Sequence, residues 1–255
     1  MGDVGRLGSL GTLGNKMVGG TSSTGALAAL LIVAGATCGL LDFDVDLAQQ
    51  TFMLDFGQQT GTMPAVACAS ATAGACDAAA SFNVDAASAA GVPATVDVTL
   101  GCDDGSRQCY ALVNARAAQT VAVLQDDNFS SKVARHGLSF VKLADVAYTI
   151  PTNTLTFDIP QANVYAGPAG STRETDPGVA LLGSTQPIKA GTPTTEAQHM
   201  IIDDNSPARP VIEHAVEHKQ DFVFIVVASP RMNAGNPVPA GSIQFVVSPK
   251  LKVGL

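Results

Sequence analysis

From residue 42 onward the sequence alternates apolar and polar residues with a period of two, and this restricts the fold more than any other feature. Phe43, Val45 and Leu47 interleave with Asp42, Asp44 and Asp46, and Phe52, Leu54 and Phe56 continue the pattern. That period belongs to a strand with one buried and one wet face. Thr95–Leu100 and Tyr110–Val113 read as a hairpin, and Thr120–Leu124 as a further short run. Leu138–Ile150 reads as a long strand with a phase change near Val141 and Lys142, which predicts a bulge there. After a turn at Pro151, Leu155, Phe157 and Ile159 resume the alternation. Two strong strands, Phe222–Ala228 and Ile243–Val247, end the chain.

Helical signals are few. Asp126–His136 carries acids at its start, bases near its end and Gly137 as a stop, enough for one or two turns. Pro210 opens the clearest helix, running to Gln220. The Ala- and Ser-rich stretch 65–90 fits a helix or an irregular loop equally. Many short strands, Gly/Pro turns and one or two short helices predict a mostly β, sandwich-like fold of antiparallel sheets. With 255 residues and no internal repeat, the expected organisation is a leader over 1–37 and one β-rich domain over 38–255. Its Cys-rich, Ala/Ser-rich segment lies at 65–110.

Charge excludes several roles. Fourteen Lys and Arg stand against 22 Asp and Glu, a net charge of −8, so a nucleic-acid partner is not expected. Ten Phe, three Tyr and no Trp are too few and too scattered for the aromatic girdles of a membrane barrel.

The segment Ala26–Ala36 is apolar or small throughout, preceded by Gly/Ser/Thr-rich chain with Arg6 and Lys16. It is too short to cross a bilayer core and has the form of a secretory h-region, with cleavage expected after Ala36. Cys38 follows after one residue, Thr37. Residues 26–39 resemble a bacterial lipoprotein precursor, in which a cysteine after small residues carries the lipid. The match departs from the pattern at Thr37 and Gly35. The resemblance implies lipidation at Cys38 and a membrane partner through that anchor; simple cleavage and secretion is the alternative. Either fate places the protein outside the cytoplasm, in a bacterial envelope (periplasm or outer-membrane surface) or the medium.

The remaining cysteines, Cys68, Cys76, Cys102 and Cys109, are even in number, as two disulfides in an oxidising compartment require. Local pairing, Cys68–Cys76 with Cys102–Cys109, is the expectation, because Asp103–Gln108 is rich in turn residues. Zinc is the competing reading, but no Cys-x-x-Cys pair occurs and no His lies close in sequence.

Two other constellations bear on chemistry. His214-Ala-Val-Glu217-His218 matches the H-x-x-E-H spacing and resembles inverted-motif zinc peptidases, with His214 and His218 as ligands and Glu217 as base. No Glu follows in the 37 residues after His218, where that family places a further ligand. Asp42, Asp44 and Asp46 have the opening spacing of a calcium loop, but Leu47 and Met53 stand where Gly and Glu belong. No nucleophile elbow, phosphate loop or dinucleotide fingerprint occurs. The expectation is therefore an exported, non-enzymatic envelope protein, structural or partner-binding, with no cofactor beyond the calcium or zinc options. A secreted metal hydrolase and a lipid or small-ligand binder are the alternatives.

Overall fold

The computed structural model describes residues 42–58, 61–68, 76, 94–133 and 137–254. The leader and Cys38 lie outside the described residues, as does most of 65–90. All described residues belong to one compact unit spanning Leu40–Leu255.

The alternating segments form two antiparallel sheets with a shared core, so the mostly β, sandwich-like expectation holds. In the first sheet, β1 (Asp42–Asp46) and β2 (Gln50–Asp55) lie end to end along one edge of β12 (Ser242–Gly254). On the other edge of β12 comes β5 (Phe140–Asn153), then β8 (Thr194–His199). Val45, Phe52, Leu54, Phe245, Val247 and Leu251 point inward and are buried, while the intervening Asp and Lys face water.

The second sheet runs from β3 (Ala94–Asp103) through β4 (Gln108–Val121) to β10 (Phe222–Ala228), β6 (Ala162–Pro168), β7 (Ala180–Ser184) and β9 (Ile201–Ile202). The two-residue β11 (Arg231–Met232) also pairs with β4. Tyr110–Val113 and the first two residues of Thr120–Leu124 belong to one 14-residue strand, its middle carried by Ala115 and Ala117, which are fully buried, whereas Val123 and Leu124 lie in a short 3₁₀ turn beyond it. Small residues had masked the alternation in the middle of the strand.

Two expectations need correction. The bulge in β5 lies at Ala144, where Lys250 pairs with Asp145 but Leu251 pairs with Leu143; a second irregularity separates Thr149 from Thr152. The inward series Val141, Leu143, Val146, Tyr148, Ile150 changes phase at that point. Leu155–Ile159 forms no strand. Its alternating apolar side chains are anchors for a loop: Leu155 and Ile159 are buried, and Phe157 meets Phe56 edge-on at 4.9 Å. One isolated bridge, Ile159 with Ile188, is the only sheet-like pairing there.

Helix α1 (Asp127–Val133) is capped by Asp126, whose Oδ1 accepts the Phe129 amide at 2.9 Å. Its other carboxylate oxygen accepts the Ala48 amide, tying the helix to the end of β1. Phe129 and Val133, four apart, form its buried stripe. Helix α2 (Ala208–Glu217) starts two residues before the predicted Pro210 and stops three before Gln220. It packs on β5 of the first sheet and on β6 and β7 of the second, closing the gap between them.

Strand β10 differs from all the others in having no wet face. All seven residues are buried. Phe222, Phe224 and Val226 enter the main core, and Val223, Ile225 and Val227 form a second small core on the outer face with Ala118, Tyr165 and Val179. Val179 ends the 169–179 loop, which crosses that outer face. Arg116 of β4, 5% exposed, holds the loop with a bidentate pair to Glu174 at 3.0 and 3.1 Å and also bonds Asp97. Removing one partner from a buried guanidinium is costly, so the latch is tightly specified.

Because both faces of β10 are packed, Phe224→Ala should lower the unfolding free energy by about 3–5 kcal/mol and Ile225→Ala by about 2–4 kcal/mol. Urea midpoints measure both. An Ile225→Ala change below about 0.5 kcal/mol would mean that the outer core is not formed.

Candidate functional site

A groove of about 950 Å³ runs along α2. Its walls are Val211 and Ala215 of α2, Leu124 of the short 3₁₀ turn after β4, Pro168 at the end of β6, and Phe222 at the start of β10. Its rim carries His214, Lys219 and Asp221. Leu124 is 53% exposed.

The local sequence explains how α2 presents this wall. Ile212 and Val216 are four apart and, with Ala208, are fully buried toward the sheets, which leaves Val211 and His214 on the groove side. The helix is clamped by its polar residues to β5: Glu213 Oε1 accepts the Leu143 amide at 2.9 Å, and Arg209 Nη1 donates to the Leu143 carbonyl at 3.0 Å. These bonds occupy backbone groups of β5 that would otherwise be an open sheet edge. At its end, the Lys219 amide donates to Val216 and the Gln220 amide to Ala215, at 3.0 and 2.7 Å. This is a Schellman closure with Lys219, at φ 55°, where glycine is usual. The left-handed turn sets the rim of the groove at some backbone cost.

Of the H-x-x-E-H residues only His214 lines this groove, and the ligand atoms of the three are not gathered. His214 and His218 stack with ring centroids 4.1 Å apart and planes 20° from parallel. His218 Nδ1 lies 2.9 Å from the His214 carbonyl and donates to it, which removes that nitrogen as a ligand. Glu217 is exposed on the last helical turn, and the three residues form no metal-spaced group.

Asp42, Asp44 and Asp46 share one exposed strand face, as predicted, but their neighbours are cations. Asp42 pairs with Lys252 at 2.6 Å and Asp44 with Lys250 at 2.7 Å across β1 and β12. The hydrogen bond and charge of Lys252 hold the Asp42 carboxyl below its ordinary value. The lysines relieve the repulsion that a calcium ion would otherwise have to relieve. His199 Nδ1 lies 2.7 Å from Asp145 Oδ2, a contact across 54 residues of sequence.

The four cysteines do pair, but not locally. The bonds are Cys68–Cys102 and Cys76–Cys109, with Cα–Cα distances of 5.9 and 5.7 Å. Cys102 and Cys109 stand opposite each other in the β3–β4 register, and each takes its partner from the 68–76 segment. Two staples thus fasten that segment to one hairpin end, where two local loops would have fastened nothing to it. The Cys68 amide donates to Arg107 and the Cys109 amide to Val66, at 3.0 and 2.8 Å, so an added strip of backbone brings Cys68 to the hairpin.

The hairpin end is further ordered by Asp103. Its Oδ1 accepts the amides of Gly105 and Ser106 and the Ser106 hydroxyl, and its Oδ2 meets Arg231. The Arg231 guanidinium lies over the Tyr110 ring, its Cζ 3.9 Å from the ring centre. Gly101 makes room beneath, since a Cβ there would run into that ring.

Neither the groove walls nor the Arg116 latch was singled out from the sequence. Arg116 had a usable signal, a lone charge within an Ala-rich strand, whereas Leu124, Pro168 and Phe222 are 44 or more residues apart and had none. No protein-family model matches the chain, and no curated protein matches it in sequence.

Non-reducing peptide mapping should recover Cys68–Cys102 and Cys76–Cys109. Replacing both members of one bridge with Ala should cost about 3–4 kcal/mol, because each closes a loop of more than 30 residues. Recovery of Cys102–Cys109 would reject the crossed pairing. The Asp103 carboxyl is held at about 2 by the Ser106 amide, Arg231 and the Ser106 hydroxyl. A depressed carboxyl stabilises the fold above its unfolded value near 4, and that contribution disappears as pH falls through about 2. Asp103→Asn should therefore be less stable at neutral pH and flatter in urea midpoint over that acid range. An unchanged acid limb would remove Asp103 from it.

Proposed function

We propose that this chain is an exported, non-enzymatic envelope protein that binds a partner through the α2 groove. The groove is the observation that carries the reading: an apolar concavity on a rigid two-sheet frame, with a few polar groups confined to its rim. Two disulfides are typical of chains that mature outside the reducing cytosol, and among the described residues no helix is long and apolar enough to cross a membrane. The absence of a gathered catalytic group at His214, Glu217 and His218 leaves the metal hydrolase without geometric support.

In this reading the leader directs export, and lipid on Cys38 tethers the domain; cleavage after Ala36 without lipid releases it. A second reading, a lipid or small-ligand binder, draws on the groove volume, which falls within the usual range for such sites.

Mass spectrometry of the mature N-terminus, with cell fractionation, tests the export step. A diacylglyceryl mass on Cys38, or a free amine at Thr37, is expected. An uncut chain in the cytosolic fraction would overturn it. Val211→Glu tests the groove: native mass spectrometry of protein taken from the envelope should show a bound species in the parent chain that the variant lacks. Equal occupancy in both would place binding elsewhere.

A further inference from the structure

The α2 groove sorts its lining by polarity. Its four polar residues, His214, Lys219, Gln220 and Asp221, all come from the last turn of α2 and the segment that links it to β10. The rest of the lining is apolar or glycine, and includes three prolines, Pro168, Pro207 and Pro210. Proline has no N–H to offer a ligand. The amides of α2 beyond its first turn are spent inside the helix, and the Pro168 carbonyl already accepts the Ser171 amide at 3.2 Å. A peptide laid along these walls would give up water from its own amides and carbonyls and meet prolines and a closed helix in its place, a cost for every group left unpaired. A hydrocarbon chain carries no such groups.

We propose that the groove holds a single unbranched acyl chain with its carboxylate at the C-terminal end of α2. This rests on the reading of the groove as a binding site and names the class of molecule it takes. An anion beside a helix C-terminus is disfavoured while the last carbonyls stand open. Here they are closed: the His214, Ala215 and Val216 carbonyls accept the amides of His218, Gln220 and Lys219 at 3.0, 2.7 and 3.0 Å. The polar end therefore presents side chains, with two bases, His214 and Lys219, against one acid. That acid, Asp221, faces the 3₁₀ turn after β4, where its Oδ1 accepts the Val123 amide at 3.2 Å. Leu124 of the same turn, 53% exposed, gives a chain apolar surface to cover.

The test uses the full chain with both disulfides intact, stripped of resident lipid on an alkyl resin. It is titrated by calorimetry with octanoate, decanoate and dodecanoate, each below its micelle concentration. The expected result is one dodecanoate per chain, with affinity rising about two- to fourfold per added methylene. Leu124→Ser should weaken dodecanoate at least about threefold and leave the melting temperature unchanged, since the side chain is half exposed. Lys219→Gly suits the left-handed backbone at that position and keeps the turn. It should weaken dodecanoate about two- to fivefold. Dodecyltrimethylammonium, the same chain with a cationic head, should bind the parent less tightly than dodecanoate and lose nothing in Lys219→Gly.

No dodecanoate binding, affinity independent of chain length, a cationic head bound as tightly as the carboxylate, or an unchanged Leu124→Ser would each overturn the proposal. If dodecanoate fails while an envelope-derived species still depends on Val211, the ligand class alone falls. If neither binds, the reading of the groove falls with it.

Discussion

Strand β10 has to be dry on both sides, and much of the rest of the molecule is arranged to satisfy that requirement. Seven consecutive apolar residues cannot lie on the wet face of a sandwich, where one side of each strand meets water. One side is met by the first sheet. The other is met by a loop, 169–179, which needs a reason to stay down, and the Arg116–Glu174 pair supplies it. Two features of that loop let it turn: Asp176 accepts the amides of Thr172 and Arg173, and Gly170 and Gly178 take left-handed backbone. The base of the same loop forms one wall of the groove, so the packing of β10 and the shape of the candidate site share a structural cause.

Closure of the sandwich edges is the second constraint. Strand β8 covers only part of the outer edge of β5, and α2 covers the stretch at Leu143 with Glu213 and Arg209, where an open edge would invite pairing with another chain. The helix that closes the gap thereby becomes the main wall of the groove. The residues that once suggested a metal centre, His214 and His218, instead sit stacked at its C-terminal end, with His218 hydrogen-bonded to a helix carbonyl. The hairpin end carrying the cysteines lies on β3 and β4, and its order comes from covalent staples, an aspartate-centred turn and an arginine on an aromatic ring.

Much of the fold was legible because burial on one side of a strand writes itself into alternate residues. The inward series of β1, β2 and β12 and the unbroken apolar run of β10 could be assigned from the chain alone. The failures have physical reasons. Leu155, Phe157 and Ile159 alternate because a loop needs anchors, and periodicity does not separate an anchored loop from a strand. The middle of β4 is Ala-rich, so it gave little contrast between faces, although its inward alanines are fully buried. The ends of α2 were misplaced because Ser206 and the Schellman turn at Lys219 set them, and neither has a strong residue signature.

By itself, the sequence determined the strand periods, the even set of four cysteines and the acidic face of β1. Each depends only on residues near one another or on their number. The tertiary structure alone decided which cysteines meet, that lysines of β12 rather than a cation neutralise Asp42 and Asp44, and that Leu124, Pro168, Val211 and Phe222 share a groove. Those outcomes are set by the antiparallel register between segments far apart in the chain, and register is a property of how whole sheets pack, which no local run of residues encodes.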